Sequence, residues 1–159
     1  MSINAALADA VERLTGAGFQ ILHAYGRKND APATHDHYTA VPYIDDMEAA
    51  YAVADVVVCR SGAMTVAENS AAGIPAIYIP LPHGNGEQGL NSAHLVDAGA
   101  ALRIDDAALS GDVLVDKLLP LVAPEARATM RAALKDSGAG SVAEDLAARI
   151  AAAAGKDTK

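Results

Sequence analysis

A serine, a glycine and a carboxylate at fixed spacing are the residues of this chain best suited to chemistry. Arg60-Ser61-Gly62 follows the short apolar run Val56-Val57-Val58, and an Ala-rich stretch runs from Ala63 to Ala72. A β-branched run that is apolar on both faces reads as a parallel strand covered on both sides. Ala63 to Ala72 has the composition of a helix closed by Gly73 and Pro75, because Gly accepts the left-handed position past a helix end and Pro blocks continuation. Ile77 to Ile79 is the next buried strand. The helix therefore starts beside the carboxyl ends of two strands, where open α/β sheets bind ligands. Gly62 lets a ligand approach the backbone, Ser61 is placed to cap the helix, and the unpaired first N–H groups favour a phosphate. Glu68, nearly two turns further on, is placed to accept hydrogen bonds from a ribose diol. Taken alone, this stretch is explained slightly better by Ser61 as a simple N-cap, Gly62 as a turn and Glu68 as a solvated helix residue.

Two amides form a second candidate group. The segment PLPHGNGEQGLNSAHL after Ile79 is rich in Gly and Pro, with His83, Asn85, Glu87, Gln88 and Asn91 as its polar residues. A polar loop at a strand's carboxyl end is expected to set specificity. The competing reading is a surface connection into a helix from about Gln88 to Ala98. Gln88 and Asn91 share a face at that helix start, and amides, which both donate and accept, suit sugar hydroxyls. His35 and His37 have no Cys or further His near them and read as a solvated loop rather than a metal site. Asp45-Asp46 reads as the N-cap of a helix from Met47 to Ala54 rather than as an acidic metal pair.

The remaining elements must position these residues. Ile3, Ala6, Leu7, Ala10, Val11 and Leu14 recur at helical spacing, and Gly16 and Gly18 end that helix. Phe19 to Tyr25 is a strand, and Tyr38 to Tyr43 is a second, interrupted by Pro42. Gly99 to Ile104 is a turn and a short last strand. Asp106 onward is helical with a break at Pro120 to Pro124, and Ser141 to Ala154 is a final amphipathic helix before a frayed tail. Alternating strands and helices with no repeat or linker predict one α/β domain, a Rossmann-like doubly wound parallel sheet over residues 1–155 with a disordered tail at 156–159.

Composition narrows the partners. The chain has 159 residues, a net charge of −8 and an apolar fraction of 52%, enough to bury a core. A sequence pI near 4.9 argues against a nucleic-acid surface, so a phosphorylated ligand must be held by local dipoles and a few cations. The single cysteine, Cys59, falls at the end of an apolar strand and reads as a small core residue in a reducing compartment. No stretch is apolar enough to span a membrane and no signal-peptide pattern is present, which predicts a soluble cytoplasmic chain.

The run YIDDMEAAYAVADVVVCRSGAMTVAENSAAGIPAIYIPLP, followed by NGEQGLN and AGAA, resembles the C-terminal half of the MurG family. These are two-domain GT-B glycosyltransferases of peptidoglycan synthesis. The match covers about Tyr43 to Ala101, and the flanks agree in element order. The resemblance implies that the Ile44 backbone reads the uracil edge, with Met47 nearby. It implies that Ser61, Gly62, Ala63, Met64 and Thr65 face the diphosphate and that Glu68 holds the ribose. Gln88 and Asn91 would contact the GlcNAc ring, whereas Glu87 departs from a frequent glutamine. Phosphate and ribose also follow from the residues themselves; uracil and GlcNAc come from the resemblance alone.

The implied reaction transfers GlcNAc from UDP-GlcNAc, with inversion, to the 4-hydroxyl of lipid-linked MurNAc-pentapeptide, converting lipid I to lipid II. No cofactor or metal is implied, and no catalytic residue on this chain. In the intact family enzyme the location is cytoplasmic, peripheral on the inner face of the cell membrane. The family's acceptor-binding N-terminal half precedes the matched region, as do the first strand and Gly-rich turn of the C-terminal domain. The expectation is therefore a truncated gene product in which the strands at Phe19 and Val56 lack their shared neighbour. Unpaired buried backbone groups would cost ~1–3 kcal/mol each, against a stability of ~5–15 kcal/mol. A small subunit of a two-chain UDP-GlcNAc transferase and a non-catalytic nucleotide-sugar-binding module are the alternatives.

Overall fold

The computed structural model describes residues 2–82 and 86–138. Six α-helices and five short strands alternate along it: α1 (Ser2–Gly16), β1 (Ile21–Ala24), β2 (Tyr38–Val41), α2 (Met47–Val53), β3 (Val57–Cys59), α3 (Ala63–Ala71), β4 (Ala76–Tyr78), α4 (Glu87–Asp97), β5 (Ala101–Arg103), α5 (Gly111–Leu118) and α6 (Pro124–Asp136). Local chemistry sets most of the boundaries. Asp46 caps α2, its carboxylate accepting from the Ala49 N–H at 2.9 Å, and the Ser110 hydroxyl caps α5. Gly73, at φ +68°, takes the left-handed position after α3, so that the Ile74 N–H reaches back to the Asn69 carbonyl at 3.0 Å.

All the strand pairs are parallel, but they form two sheets. β1 pairs with β2, Ile21 opposite Tyr38, while β3, β4 and β5 form a second sheet with β4 central. β1 and β3 therefore do not share a ladder. That division explains one departure from expectation: β3 is half-buried rather than covered on both faces, because it is an edge, whereas every residue of β4 is buried. Strand lengths also fall short of the apolar runs. β1 starts at Ile21 rather than Phe19, and β2 ends before Pro42, which has no N–H to give a ladder. The region from Asp106 is broken by more than the prolines: 3-10 turns at Asp106–Ala108 and Leu119–Val122 flank α5. The predicted helix at 141–154 and the tail at 156–159 lie outside the described residues.

The alternation of β4 and the residue after it builds a core on each side of the central sheet. Ile77 and Ile79 pack with Ala6, Ala10 and Leu14 of α1 and with Leu114, Val115 and Leu118 of α5. Ala76 and Tyr78 face the other way, onto Val66 of α3, Leu95 of α4 and Leu134 of α6. Period-two side-chain direction in the strand is what separates the two layers. The α1–α5 contact is close. A Cβ on Gly111 would stand 2.7 Å from the Cβ of Asp9 and 3.3 Å from the Ala6 carbonyl oxygen. Gly111→Ala is therefore expected to lower stability by about 1–3 kcal/mol, read as a drop in the urea midpoint.

A buried histidine gives the fold a pH dependence. The His23 Nδ1 lies 2.7 Å from the Tyr38 hydroxyl and its Nε2 lies 3.1 Å from the Asn4 Oδ1. A neutral ring satisfies both contacts, accepting from Tyr38 and donating to Asn4. Burial holds the His23 pKa below the ordinary value of 6.5. Between the two values the unfolded chain binds more protons. Stability is full above the ordinary histidine pKa and falls as pH drops through it, levelling below the folded value. Urea midpoints at pH 8 and pH 5.5 check this, and His23→Gln should reduce the difference.

Candidate functional site

The turn between β3 and α3 is built differently from its sequence reading. Ser61 does not cap α3. It is fully buried, its hydroxyl donates to the Gln88 carbonyl at 2.7 Å, and its own carbonyl accepts from the Asn91 amide at 3.0 Å. Gly62 occupies the N-cap position, at φ −62° and ψ 146°, with no side-chain cap. The first bond of this helix runs from the Val66 N–H to the Gly62 carbonyl at 2.9 Å. The N–H groups of Ala63, Met64 and Thr65 precede it and carry the positive end of the helix dipole. Any residue could adopt the Gly62 backbone angles. What glycine supplies is space, since a Cβ there would meet nothing closer than the Thr65 Oγ1 at 3.9 Å. Met64 is 73% exposed beside it, and Thr65 is half-buried.

Of the two α4 amides, Asn91 reaches this turn, whereas the Gln88 side chain turns to the segment after β4. Asn91 holds Ser61, and the Gln88 Oε1 accepts from the Leu81 N–H at 3.0 Å. Each keeps the other half of its amide for a further bond. Buried Ser61 is thus the pin that fixes α4 against the start of α3. Its assigned role changes from ligand or cap to positioning. Glu87 is exposed in the first turn of α4, and His83 and Asn85 lie outside the described residues.

Glu68 stands at a second place, further along α3. Met47, Glu48, Tyr51 and Ala52 of α2 and Glu68, Ala71 and Ala72 line an open cleft of about 570 Å³. The Tyr51 hydroxyl donates to the Glu68 Oε2 at 3.1 Å. Burial and the neighbouring Glu68 carboxylate push the Tyr51 phenol up to about 12, so it remains a donor at neutral pH. Met47 and Glu68 are thereby brought together. Ile44, half-buried before α2, is not among the cleft's lining residues. Its segment is held by Arg27, which pairs with Asp45 at 3.4 Å and lies 4.8 Å above the Tyr43 ring.

Two residues that sequence reasoning missed support the site. One is Tyr51. The other is Arg60, whose guanidinium donates to Asp106 at 2.6 Å, to the Ile79 carbonyl at 3.1 Å and to the Ser2 hydroxyl at 2.7 Å. It ties the carboxyl ends of β3 and β4 to the start of α1. A cation closing a buried strand was the available signal for Arg60; for Tyr51 there was none, because Glu68 lies 17 residues away. Cys59 is a half-buried thiol near the Asn69 amide, and burial pushes it up to about 11, a packing residue and not a nucleophile. Among the described residues no three His, Cys, Asp or Glu side chains gather as a metal site needs. No helix there is long and apolar enough to cross a membrane.

Residues 1–150 match the glycosyltransferase family 28 C-terminal domain. The chain is 55% identical over 153 residues to the UDP-N-acetylglucosamine–N-acetylmuramyl-(pentapeptide) pyrophosphoryl-undecaprenol N-acetylglucosamine transferase of Corynebacterium glutamicum, covering 96% of this chain and 43% of that protein. The Mycolicibacterium smegmatis protein of the same name is 52% identical over 143 residues, 86% of this chain and 37% of that protein. The chain thus spans about two-fifths of the length of these relatives. The crystal structure of Acinetobacter baumannii MurG superposes with a TM-score of 0.73 at 30% identity, covering 85% of this chain and 41% of that one. The kitacinnamycin glycotransferase, with a TM-score of 0.64 at 24% identity over 91% of this chain and 38% of that one, shares the fold.

Proposed function

The chain belongs to the glycosyltransferase family 28 C-terminal domain, and from that premise we propose that it binds the UDP-GlcNAc donor of a lipid II-forming GlcNAc transferase. The observation that carries the proposal is the uncapped amino end of α3, held open by Gly62 and pinned through Ser61 to the Gln88 backbone carbonyl and the Asn91 amide. Three backbone donors at a dipole's positive end suit a diphosphate. The carboxylate of Glu68 suits the ribose diol, the Ile44 backbone the uracil edge with Met47 beside it, and the two amides the GlcNAc hydroxyls.

In the reaction so assigned, the acceptor 4-hydroxyl attacks the anomeric carbon, its bond to the UDP oxygen breaks and the configuration inverts. Charge builds on the departing diphosphate, where the N–H groups of Ala63, Met64 and Thr65 stabilise it without reorganising. The proposal gives this chain no proton-abstracting residue and assigns the lipid I acceptor to the part of the relatives beyond the match. It also assigns the domain to residues 1–155 and a cytoplasmic position on the inner face of the membrane. The curated relatives are single chains of which this one spans 43% or less in the cases described, so a two-chain enzyme gains no support from them.

Calorimetric titration with UDP-GlcNAc tests the reading. Glu68→Ala is expected to weaken binding about tenfold, the loss of about 1.4 kcal/mol, without lowering the melting temperature. Equal affinity for variant and parent would remove Glu68 from the site. Formation of lipid II by the purified chain alone would overturn the division of labour.

A further inference from the structure

We propose that Tyr51 and Glu68 act as one diol-reading unit, in which the Tyr51 hydroxyl positions the Glu68 carboxylate and so sets the preference for ribo- over 2′-deoxyribonucleoside diphosphates. This rests on the ribose reading of Glu68. The two side chains come from different helices and meet across 17 residues of sequence at 3.1 Å, and both line the same open cleft. An exposed glutamate on a helix samples several rotamers, and ordering it on binding costs conformational entropy. The hydrogen bond from Tyr51 orders it beforehand. It uses one of about four lone-pair positions on the carboxylate, which leaves the other oxygen for two adjacent hydroxyls.

Charge favours a diol here over the phosphates. Glu48 and Glu68 both line the cleft, so two carboxylates repel an anion at this end, while the uncapped N–H groups of α3 attract one at the other. Burial and the neighbouring carboxylate raise the phenol to about 12, which keeps Tyr51 a donor at neutral pH.

The test titrates UDP and 2′-deoxy-UDP into the full chain and compares affinity ratios. The parent is expected to prefer UDP. Tyr51→Phe should weaken UDP about tenfold and shrink the ratio, with the melting temperature unchanged. A purely structural role would weaken both nucleotides equally, so an unchanged ratio overturns the proposal even if affinity falls. Glu68→Gln separates the two readings. If it collapses the ratio while Tyr51→Phe does not, Glu68 reads the ribose without Tyr51. If it leaves the ratio intact, the ribose reading fails and the pair with it. Should Tyr51→Phe fail to fold, Tyr51→Leu also removes the hydroxyl and is read in the same way. A shrunken ratio in that variant supports the pair; the parent ratio overturns it.

Discussion

Gly62→Asp is expected to preserve or raise the melting temperature while reducing UDP-GlcNAc affinity by about a hundredfold or more. The two effects have opposite signs because the same groups are involved. Gly62 is the N-cap of α3 and gives no side-chain cap. Aspartate is a better cap than glycine by a few tenths of a kcal/mol, and its charge favours the positive end of the helix. The backbone angles of Gly62 are open to any residue, and a Cβ finds only an ordinary contact with Thr65. The added carboxylate then occupies the N–H groups assigned to the diphosphate and repels it. Two charge-assisted hydrogen bonds lost at about 1.5 kcal/mol each give about 3 kcal/mol, or a factor near a hundred. Thermal melting with and without UDP-GlcNAc reads both effects. An aspartate variant that binds as the parent does would place the diphosphate elsewhere.

Arg60→Met is expected to destabilise the chain by about 2–4 kcal/mol, measured by urea unfolding. The Arg60 and Asp106 side chains are 25% and 21% exposed, so water only partly replaces a lost partner. Removing the guanidinium leaves the Asp106 carboxylate and the Ile79 carbonyl without it, and a half-buried charge without its partner costs more than the pair contributed. Arg60→Met with Asp106→Leu should therefore recover part of the loss. The pair also shapes the acid limb. Hydrogen bonds from Ser2 and Arg60 hold the Asp106 carboxyl below its ordinary value of 3.8. Its contribution is full above that value and is lost as pH falls through it toward the depressed one. In Arg60→Met that acid-dependent part should shrink. Loss of the brace directly before Ser61 should also weaken UDP-GlcNAc binding, because it loosens the turn that presents the start of α3.

Much of the site could be read from residues close in sequence. The Asp46 cap, the Gly73-Pro75 stop and the apolar stripe of α1 each depend on groups no more than a few positions apart, and each stands where expected. So does the strand–turn–helix unit. Ser61 was misread for the same reason that these were legible. A serine before a helix is locally a cap, and only the arrival of Gln88 and Asn91 turns it into a buried pin.

The sequence by itself determined the order of elements, the parallel α/β class and the position of the helix start proposed to hold the diphosphate, because periodicity and capping are short-range. The tertiary structure alone decided what those elements do to one another. Tyr51 meets Glu68 across 17 residues, Ser61 meets Gln88 across 27 and Asn91 across 30, and Arg60 meets Asp106 across 46. It also decided that β1 and β3 stand in separate sheets. Partners at such separations leave no periodic trace in the chain, since their encounter is fixed by the packing of whole helices and strands.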